Sequence, residues 1–495
     1  MRRATREGGA SGRAGGERGA GPVSGLITPV EPVPLGELGR VHFAGIGGAG
    51  MSGIARIMLA RGVSVSGSDS AASPVLDALA EAGAKTHVGH DVDNLGDADT
   101  LVVSSAIRDD NPELIEARRR GVRVLHRAGA LASLMFGRRV IAVTGTHGKT
   151  TTTSMIATAL LETGADPGYA IGGTLAATGT NAADGAGPDF VAEADESDGS
   201  FLMYAPDAAV VTNVEADHLD NYGTAEAYQA SFERFITRIK PGGLVVTCVD
   251  DPGTRKLADK ARGQGLRVRT YGEAPDADYR VTEIAVHGMQ TGFWLRSHDG
   301  PFGEMDLDVS VGVPGSHNAL NAAAALTAVV ELGTEPGRAA AALGRYRGAA
   351  RRMEPKGAAA GVRVLDTYAH HPTELAADLR AARELAGGSG RVIAVFQPHL
   401  YSRTRIFAAD FGAALGLADE AVVLDVYAAR EDPEPGVTGA LVADAVPGGK
   451  ARYVPDFDDT PAAVAAIAMA GDVVLTMGAG DVTRLGPLIL RQLAG

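Results

Sequence analysis

Short valine-rich runs recur along this chain, and between them the apolar residues fall three and four apart. The runs at 41–45, 63–67, 100–104 and 122–126 read as strands, with helical spacing over 51–60 and 74–82 between them. A second set opens with a strand at 139–145 and a helix over about 152–163. It continues through strands at 189–194 and 207–213 and closes on an alanine-rich helix at 317–332. A third set places strands at 362–368, 391–397, 420–427 and 471–478. Buried-strand runs alternating with helices predict parallel sheets joined by crossover helices, an α/β protein. The pattern divides the chain into units over 38–137, 138–346 and 347–495. Residues 1–37 lack it. Glycine, arginine and proline dominate there, and an unstructured solvated extension is expected.

The length of 495 residues agrees with about three domains. A single cysteine, Cys248, rules out a disulfide framework and any multi-cysteine metal site. The balance of 46 basic against 60 acidic residues leaves −14, which argues against nucleic-acid and anionic-membrane partners. Small anions remain open, because local loops hold them. No stretch reaches the ~18 uninterrupted apolar residues that a membrane span needs, so a cytoplasmic location is expected.

Two glycine loops carry the first chemistry. In GIGGAG (45–50), between a strand and a helix, Gly45 allows the tight turn, Gly47 the approach of a phosphate, and Gly50 close helix packing. Asp69, ending the next strand, offers a carboxylate to a ribose. Alone, this is a dinucleotide fingerprint or a structural glycine turn. GTHGKT (145–150) also links a strand to a helix, a cradle for phosphate oxygens. Lys149 supplies a charge for the β/γ-phosphates and Thr150 a hydroxyl for Mg²⁺. The loop is shortened, since Val143 stands where the full P-loop pattern has glycine. EADESDGSF (193–201) and NVEADHLDNY (213–222) then put acids and a histidine at adjacent strand ends, which suits Mg²⁺, with helix capping as the competing reading. Asn318 and Asn321 share one helix face, where they can read a base edge or cap the helix. In the third unit His, Arg and Tyr gather near strand ends in 351–353, 366–374, 396–405 and 424–433, which suits a domain that closes over an anionic ligand.

In order along the chain, GIGGAGMSGIA, GTHGKTTT, EADESDGSF, NVEADHLDNY, HNALNAAAA, HHPTE, FQPH-YSRTR and LDVY-A resemble the motifs of the Mur ligases, the ATP-dependent ligases of peptidoglycan synthesis. The resemblance spans residues 38–495. It implies a Rossmann-like UDP-binding domain, a central P-loop ATPase α/β domain and a C-terminal Rossmann-like α/β domain. It further implies that L-alanine is joined to UDP-N-acetylmuramate through an acyl phosphate. The acidic motifs favour this activity over that of the peptide-recycling relative.

Carried over by motif, Gly45, Gly47, Gly48, Gly50, Met51, Ser52 and Asp69 would hold the UDP-sugar. Gly145, Thr146, His147, Gly148, Lys149, Thr150 and Thr151 would wrap the ATP phosphates, with Asn318 and Asn321 on the adenine. Thr150 and Glu193 would hold one Mg²⁺, and Glu193 and His218 a second. Arg352, Tyr368, His370, His399 and Arg403 would orient the acyl phosphate and the amine, with Tyr368, His370 and Arg403 on the amino acid. Other cell-wall precursor enzymes are candidate partners.

Three positions depart from the family pattern. Leu400 stands at a usual Arg, Ala369 at a usual Gly, and Arg430 at a usual small residue. In sibling Mur ligases a carbamylated lysine supports the second metal. Its matching position here is Phe232, and no lysine occurs from His218 to Ile239. Two rival classes explain less. A nicotinamide-dependent dehydrogenase leaves the P-loop and acids unused, and a non-catalytic nucleotide switch leaves the third domain unused.

Overall fold

The computed structural model describes residues 26–495 apart from 389 and 430, so the departure at Arg430 lies outside the described residues. Three sheets follow one another along the chain. The first is wholly parallel, with its strands in the spatial order Lys85–Val88, Val65–Asp69, Val41–Ala44, Thr100–Val103 and Arg123–His126. The order reverses beside Val41–Ala44, where open α/β sheets bind ligands, and the glycine loop 45–50 lies at that point.

The central sheet has ten strands. Parallel strands Arg267–Gly272, Leu244–Cys248, Ala208–Val211, Arg139–Thr144 and Asp189–Glu193 form its middle. Beyond one edge lies the antiparallel meander Tyr279–His287, Gln290–Gly300 and Gly303–Val311, and beyond the other the pair Gly168–Leu175 and Thr180–Ala183. The helices Lys149–Glu162 and Ser316–Glu331 pack together on one face. Ala319, Ala322, Ala323, Ala325 and Ala328 are all fully buried there, and their small side chains suit that close approach.

The third sheet orders Glu354–Ala359, Val362–Thr367, Val473–Met477, Val392–Phe396, Glu420–Val423 and Ala451–Tyr453, all parallel except the first. Apolar clusters cover both of its faces.

Every strand expected from the sequence is present, but the apolar run Leu244–Cys248 was not among them. The meander and the strands Lys85–Val88, Gly168–Leu175, Thr180–Ala183, Arg267–Gly272, Glu354–Ala359 and Ala451–Tyr453 are also additional. Gln290–Gly300 buries Thr291, Phe293, Leu295 and Ser297 in alternation, so two of its four core-facing residues are polar and the run never looks apolar. The helix after the P-loop begins at Lys149 rather than near 152, because Gly148, left-handed at φ 82°, caps it. Residues 26–37 depart from the expected unstructured extension. Ile27, Val33 and Leu35 pack against the core shared by the first two domains, and Ile27 N donates to Asp198 O at 2.8 Å. These scattered apolar residues bury a face that no periodicity announced.

Candidate active site

A cavity of about 990 Å³ opens where the three sheets converge, and each domain contributes to its wall. In the first domain Gly45, at φ 79°, turns the chain out of its strand, and Gly48 caps the helix Ala49–Ala60. Gly45, Gly48, Gly50, Met51 and Asp69 line the cavity. Gly47 has a different part. Its N–H donates to Asp69 Oδ2 at 2.9 Å, and a Cβ there would lie 2.8 Å from that oxygen. Gly47 thus lets Asp69 lie against the loop. Ser52 is buried and donates to Ala49 O at 3.2 Å, so its hydroxyl serves its own helix.

The P-loop forms the cavity's second wall. Lys149 Nζ donates to Gly145 O at 2.7 Å, Thr146 O at 3.0 Å and Glu196 Oε1 at 3.0 Å. Glu196 is fully buried, and burial pushes its carboxyl up to about 7 despite Lys149, with Asp195 adding in the same direction. Lys149 itself is held above the ordinary lysine value; burial opposes this, but Glu196 and Asp195 outweigh it. Gly148 is required by crowding as well as by its φ, since a Cβ there would lie 2.5 Å from Asn321 Oδ1.

Oxygen ligands for a hard cation gather beside Lys149. Thr150 Oγ1 donates to Glu193 Oε1 at 3.1 Å, and Gly172 N fixes Glu193 Oε2 at 2.7 Å. A hydroxyl and a carboxylate this close are a donor set that suits Mg²⁺. His218 lines the same cavity. Burial, with Arg403 and Lys149 adding, lowers its pKa, so its neutral ring can ligate. Its Nε2 lies 3.7 Å from Glu196 Oε1 and 3.5 Å from Asp217 Oδ2.

The third domain supplies the remaining wall. Arg351 and Met353 adopt left-handed backbone at φ 60° and 51°, and between them Arg352 Nη2 donates to Thr150 Oγ1 at 3.0 Å. The Tyr368 ring carries the Arg351 and Arg352 guanidinium groups at 4.8 and 5.4 Å. His370 Nδ1 lies 3.1 Å from Tyr368 O, and burial, with Arg403 and His399 adding, holds the ring well below the usual histidine value. Arg403 and His399 stand back from this wall. Arg403 is buried and donates to Asp217 Oδ1 at 2.9 Å, bridging the third domain to the central one. His399 packs near His370 and stacks on Tyr427. Leu400 is buried at φ 68° and caps the helix Tyr401–Leu415, and Ala369 is buried with its N–H on Thr367 Oγ1.

A second cavity, of about 400 Å³, adjoins the P-loop and is lined by His147, Thr151, Asn318, Asn321 and Tyr346, among others. The two asparagines already bond each other, Asn321 Nδ2 donating to Asn318 Oδ1 at 3.1 Å, while Asn318 Nδ2 donates to Pro314 O at 2.7 Å. His147 lies between domains, with Nε2 3.1 Å from Glu215 and Nδ1 3.3 Å from Glu374. Burial would lower its pKa, but these two carboxylates outweigh that and raise it to about 9. His147, Glu215 and His371 bring ligand atoms within 4.8 Å of one another. With one carboxylate on each ring nitrogen, His147 forms an ionic latch between the central and third domains.

Sequence reasoning missed Glu196, Arg127, Glu374 and Tyr228. Arg127 donates to Asp195 at 2.8 Å from the first domain to the central one, and Tyr228 OH donates to Glu196 at 3.2 Å. Glu196 stood inside a quoted motif, and its place three residues after Glu193 was the available signal. Arg127 and Tyr228 stood in none.

Family profiles cover almost all of this architecture. "Mur ligase family, catalytic domain" matches residues 40–139, "Mur ligase middle domain" residues 143–329, and "Mur ligase, glutamate ligase domain" residues 351–480. The chain is 60% identical over 466 residues to the UDP-N-acetylmuramate–L-alanine ligase of Kineococcus radiotolerans, covering 93% of this chain and 97% of the relative. It is 56% identical to the ligase of the same name from Thermobifida fusca, with 94% and 99% covered. Among solved structures, the UDP-N-acetylmuramate–alanine ligase of Thermotoga maritima superposes with a TM-score of 0.77 at 30% identity, covering 92% and 98%. A murein peptide ligase from Psychrobacter arcticus gives 0.69 at 26%, covering 92% and 99%.

Proposed function

The chain belongs to the Mur ligase family, and from that premise we propose that it joins L-alanine to the lactyl carboxylate of UDP-N-acetylmuramate in peptidoglycan synthesis. It is an ATP-dependent acid–amino acid ligase, converting ATP to ADP and phosphate. The observation that carries the reading is the single cavity that runs from the first glycine loop past Lys149 to Tyr368 and His370. It gives a sugar nucleotide, a phosphate donor and an amine one meeting place.

A carboxylate is a poor acyl donor because its oxygen cannot leave. Transfer of the γ-phosphate makes an acyl phosphate, which the alanine amine then attacks. In this reading Asp69 and the loop 45–50 hold the UDP-sugar, and residues 145–151 wrap the triphosphate. The adenine occupies the smaller cavity beside Asn318 and Asn321. Lys149 follows charge on the transferring oxygens, already desolvated and with Glu196 to keep it protonated. Thr150 and Glu193 would hold one Mg²⁺ and Glu193 with His218 a second; bound there, Mg²⁺ neutralises phosphate charge. His370 donates from Nδ1 to Tyr368 O, so its Nε2 lone pair is free to accept from the incoming ammonium. Arg352 reaches toward the phosphoryl oxygens. Arg403 acts through Asp217 and His218, holding the third domain over the site so that water is kept from the acyl phosphate. The location is cytoplasmic, where the nucleotide substrates are made; among the described residues no helix is long and apolar enough to cross a membrane.

The test is phosphate release with ATP, UDP-N-acetylmuramate and a panel of amines. Release that needs both the sugar nucleotide and L-alanine is expected. Release with a peptide but not with alanine would make the chain a recycling ligase.

A further inference from the structure

Beneath the first domain's share of the large cavity lies a buried charge that the reaction above does not use. Glu113, in the first turn of the helix Pro112–Arg120, is fully buried. Asn94 Nδ2 donates to its Oε1 at 2.9 Å, and Ser68 Oγ donates to its Oε2 at 2.7 Å. His42, fully buried as well, brings Nε2 to 3.4 Å from Oε2. Burial alone would push this carboxyl up, but the close contact with His42 and the hydrogen bonds from Ser68 and Asn94 outweigh it and hold it at about 2. At neutral pH Glu113 is a carboxylate and can only accept.

That settles the protons next to it. Ser68 has one hydroxyl proton, and Glu113 takes it. Ser68 Oγ also lies 2.9 Å from His90 Nδ1, and with its proton committed it can only accept there. His90 Nδ1 therefore carries the hydrogen, and in the neutral ring Nε2 carries the lone pair. Among the described residues none hydrogen-bonds to that Nε2. His90 lines the large cavity together with Asp69 and Ser70. Its loop is pinned to the adjoining strand end by Gly89 N, which donates to Asp69 O at 2.7 Å. With Nδ1 tied to the cavity floor, Nε2 is the ring nitrogen left to meet a ligand.

We infer that His90 is a nucleoside-binding residue of this site, its Nε2 accepting a hydrogen bond from an N–H or O–H of the uridine, with Ser68 and Glu113 as positioning residues. The inference rests on the reading that this cavity takes a UDP-sugar. A fixed acceptor suits uracil, whose N3 carries hydrogen, and rejects cytosine, whose N3 is itself an acceptor. A ribose hydroxyl is the other donor a uridine offers.

Calorimetry on the full chain tests this with UDP-N-acetylmuramate and, separately, a non-hydrolysable ATP analogue. His90→Ala is expected to raise Kd for the UDP-sugar about tenfold, as loss of one hydrogen bond to a desolvated donor does, and to leave the ATP analogue unchanged. His90→Gln, which keeps an acceptor, should recover part of the loss. N3-methyl and 2′- or 3′-deoxy forms of the UDP-sugar identify the donor, because its penalty in the wild type should vanish in His90→Ala. Binding by His90→Ala within twofold of wild type, or analogue penalties that all persist in that variant, would overturn the inference. A wild type that neither binds the UDP-sugar nor forms product would instead overturn the ligase reading beneath it. For the positioning residues, ¹⁵N spectra of the wild type should show His90 protonated at Nδ1, and Glu113→Gln should mix the tautomers and raise KM for the UDP-sugar without changing kcat. A wild-type ring protonated at Nε2 would refute the relay even if Glu113→Gln does not fold.

Discussion

The central domain meets its two neighbours in unlike ways. Toward the first domain the seam is a continuous apolar cluster, in which Leu131, Leu134 and Met135 share a core with Ala182, Phe190, Phe201 and Phe235. Ion pairs such as Arg61–Asp184 stand beside it. Toward the third domain the seam is mainly polar: Arg352 to Thr150, Thr373 to Glu215, His147 to Glu374 and Arg403 to Asp217. The third domain keeps its own apolar core on both faces of its sheet, with Met289 of the central meander packed against one of them. Apolar burial is non-directional and costly to undo, whereas ion pairs reform at little cost once water enters. The first seam is thus the harder to part, and the second, which His147 and Thr150 of the P-loop lie against, is held by contacts that can be remade.

Disabling the polar seam's chemistry should have the largest effect. Lys149→Ala is expected to take ligation below detection while calorimetry shows UDP-sugar binding close to normal. The fold should tolerate it, because Glu196, with a pKa near 7, can take up a proton when its partner is lost. Equal loss of both ligands would mean that the two seams are not independent. Arg403→Ala leaves buried Asp217 without its cross-domain partner. A loss of ~2–5 kcal/mol in transition-state stabilisation is expected; a change below tenfold in kcat/KM would remove Arg403 from the closing apparatus.

The apolar seam should answer to truncation instead. Removing residues 1–36 takes away Ile27, Val33 and Leu35 from the shared core, whereas removing residues 1–25 leaves them. The longer truncation should melt roughly 2–4 °C below the shorter, as expected for about 1 kcal/mol in domains of this size. Coincident melting curves would show that these contacts add nothing.

The sequence disclosed these seams unequally. Strands buried on both faces announce themselves as apolar runs, so most of the parallel core of each sheet was readable, and the P-loop lysine with it; Leu244–Cys248 was the buried run passed over. Contacts between domains leave no such trace. Nothing near Arg403 in the chain points to Asp217, 186 residues away, and Ile27 and Val33 sit among prolines and acids where no period forms. Glycine roles were legible in type but not always in cause. Gly47 was expected to admit a phosphate, and the neighbour that a side chain would strike is Asp69.

A smaller effect, in pH, should separate the seams again. His147 has a raised pKa, about 9 against an unfolded value near 6.5. Its contribution is therefore fully present below pH 6.5 and lost as pH rises through 9. The groups facing it are Glu215, Glu374 and the His371 ring at 4.8 Å. Small-angle scattering should show the third domain loosening between pH 7 and 9.5 in the wild type, and His147→Gln should flatten that response. An unchanged profile in the variant would assign the loosening to other groups.

The smallest expected effect is none at all. Where sibling ligases place a carbamylated lysine, Phe232 is fully buried, edge-on to Phe201 at 5.6 Å and to Tyr228 at 5.2 Å. The position belongs to the apolar seam, and phenylalanine forms no carbamate. Tyr228, one helical turn earlier, puts its hydroxyl 3.2 Å from Glu196 and 3.0 Å from Thr146. The carboxylates at hand are Glu193, Asp195 and Glu196, none of which needs CO₂. Activity after long dialysis at low pH in CO₂-free buffer should not respond to bicarbonate, while Glu193→Gln should steeply raise the Mg²⁺ requirement. Activity restored by bicarbonate would require a carbamylated lysine from elsewhere, and Lys149, which lies against Glu196, would be the first to examine.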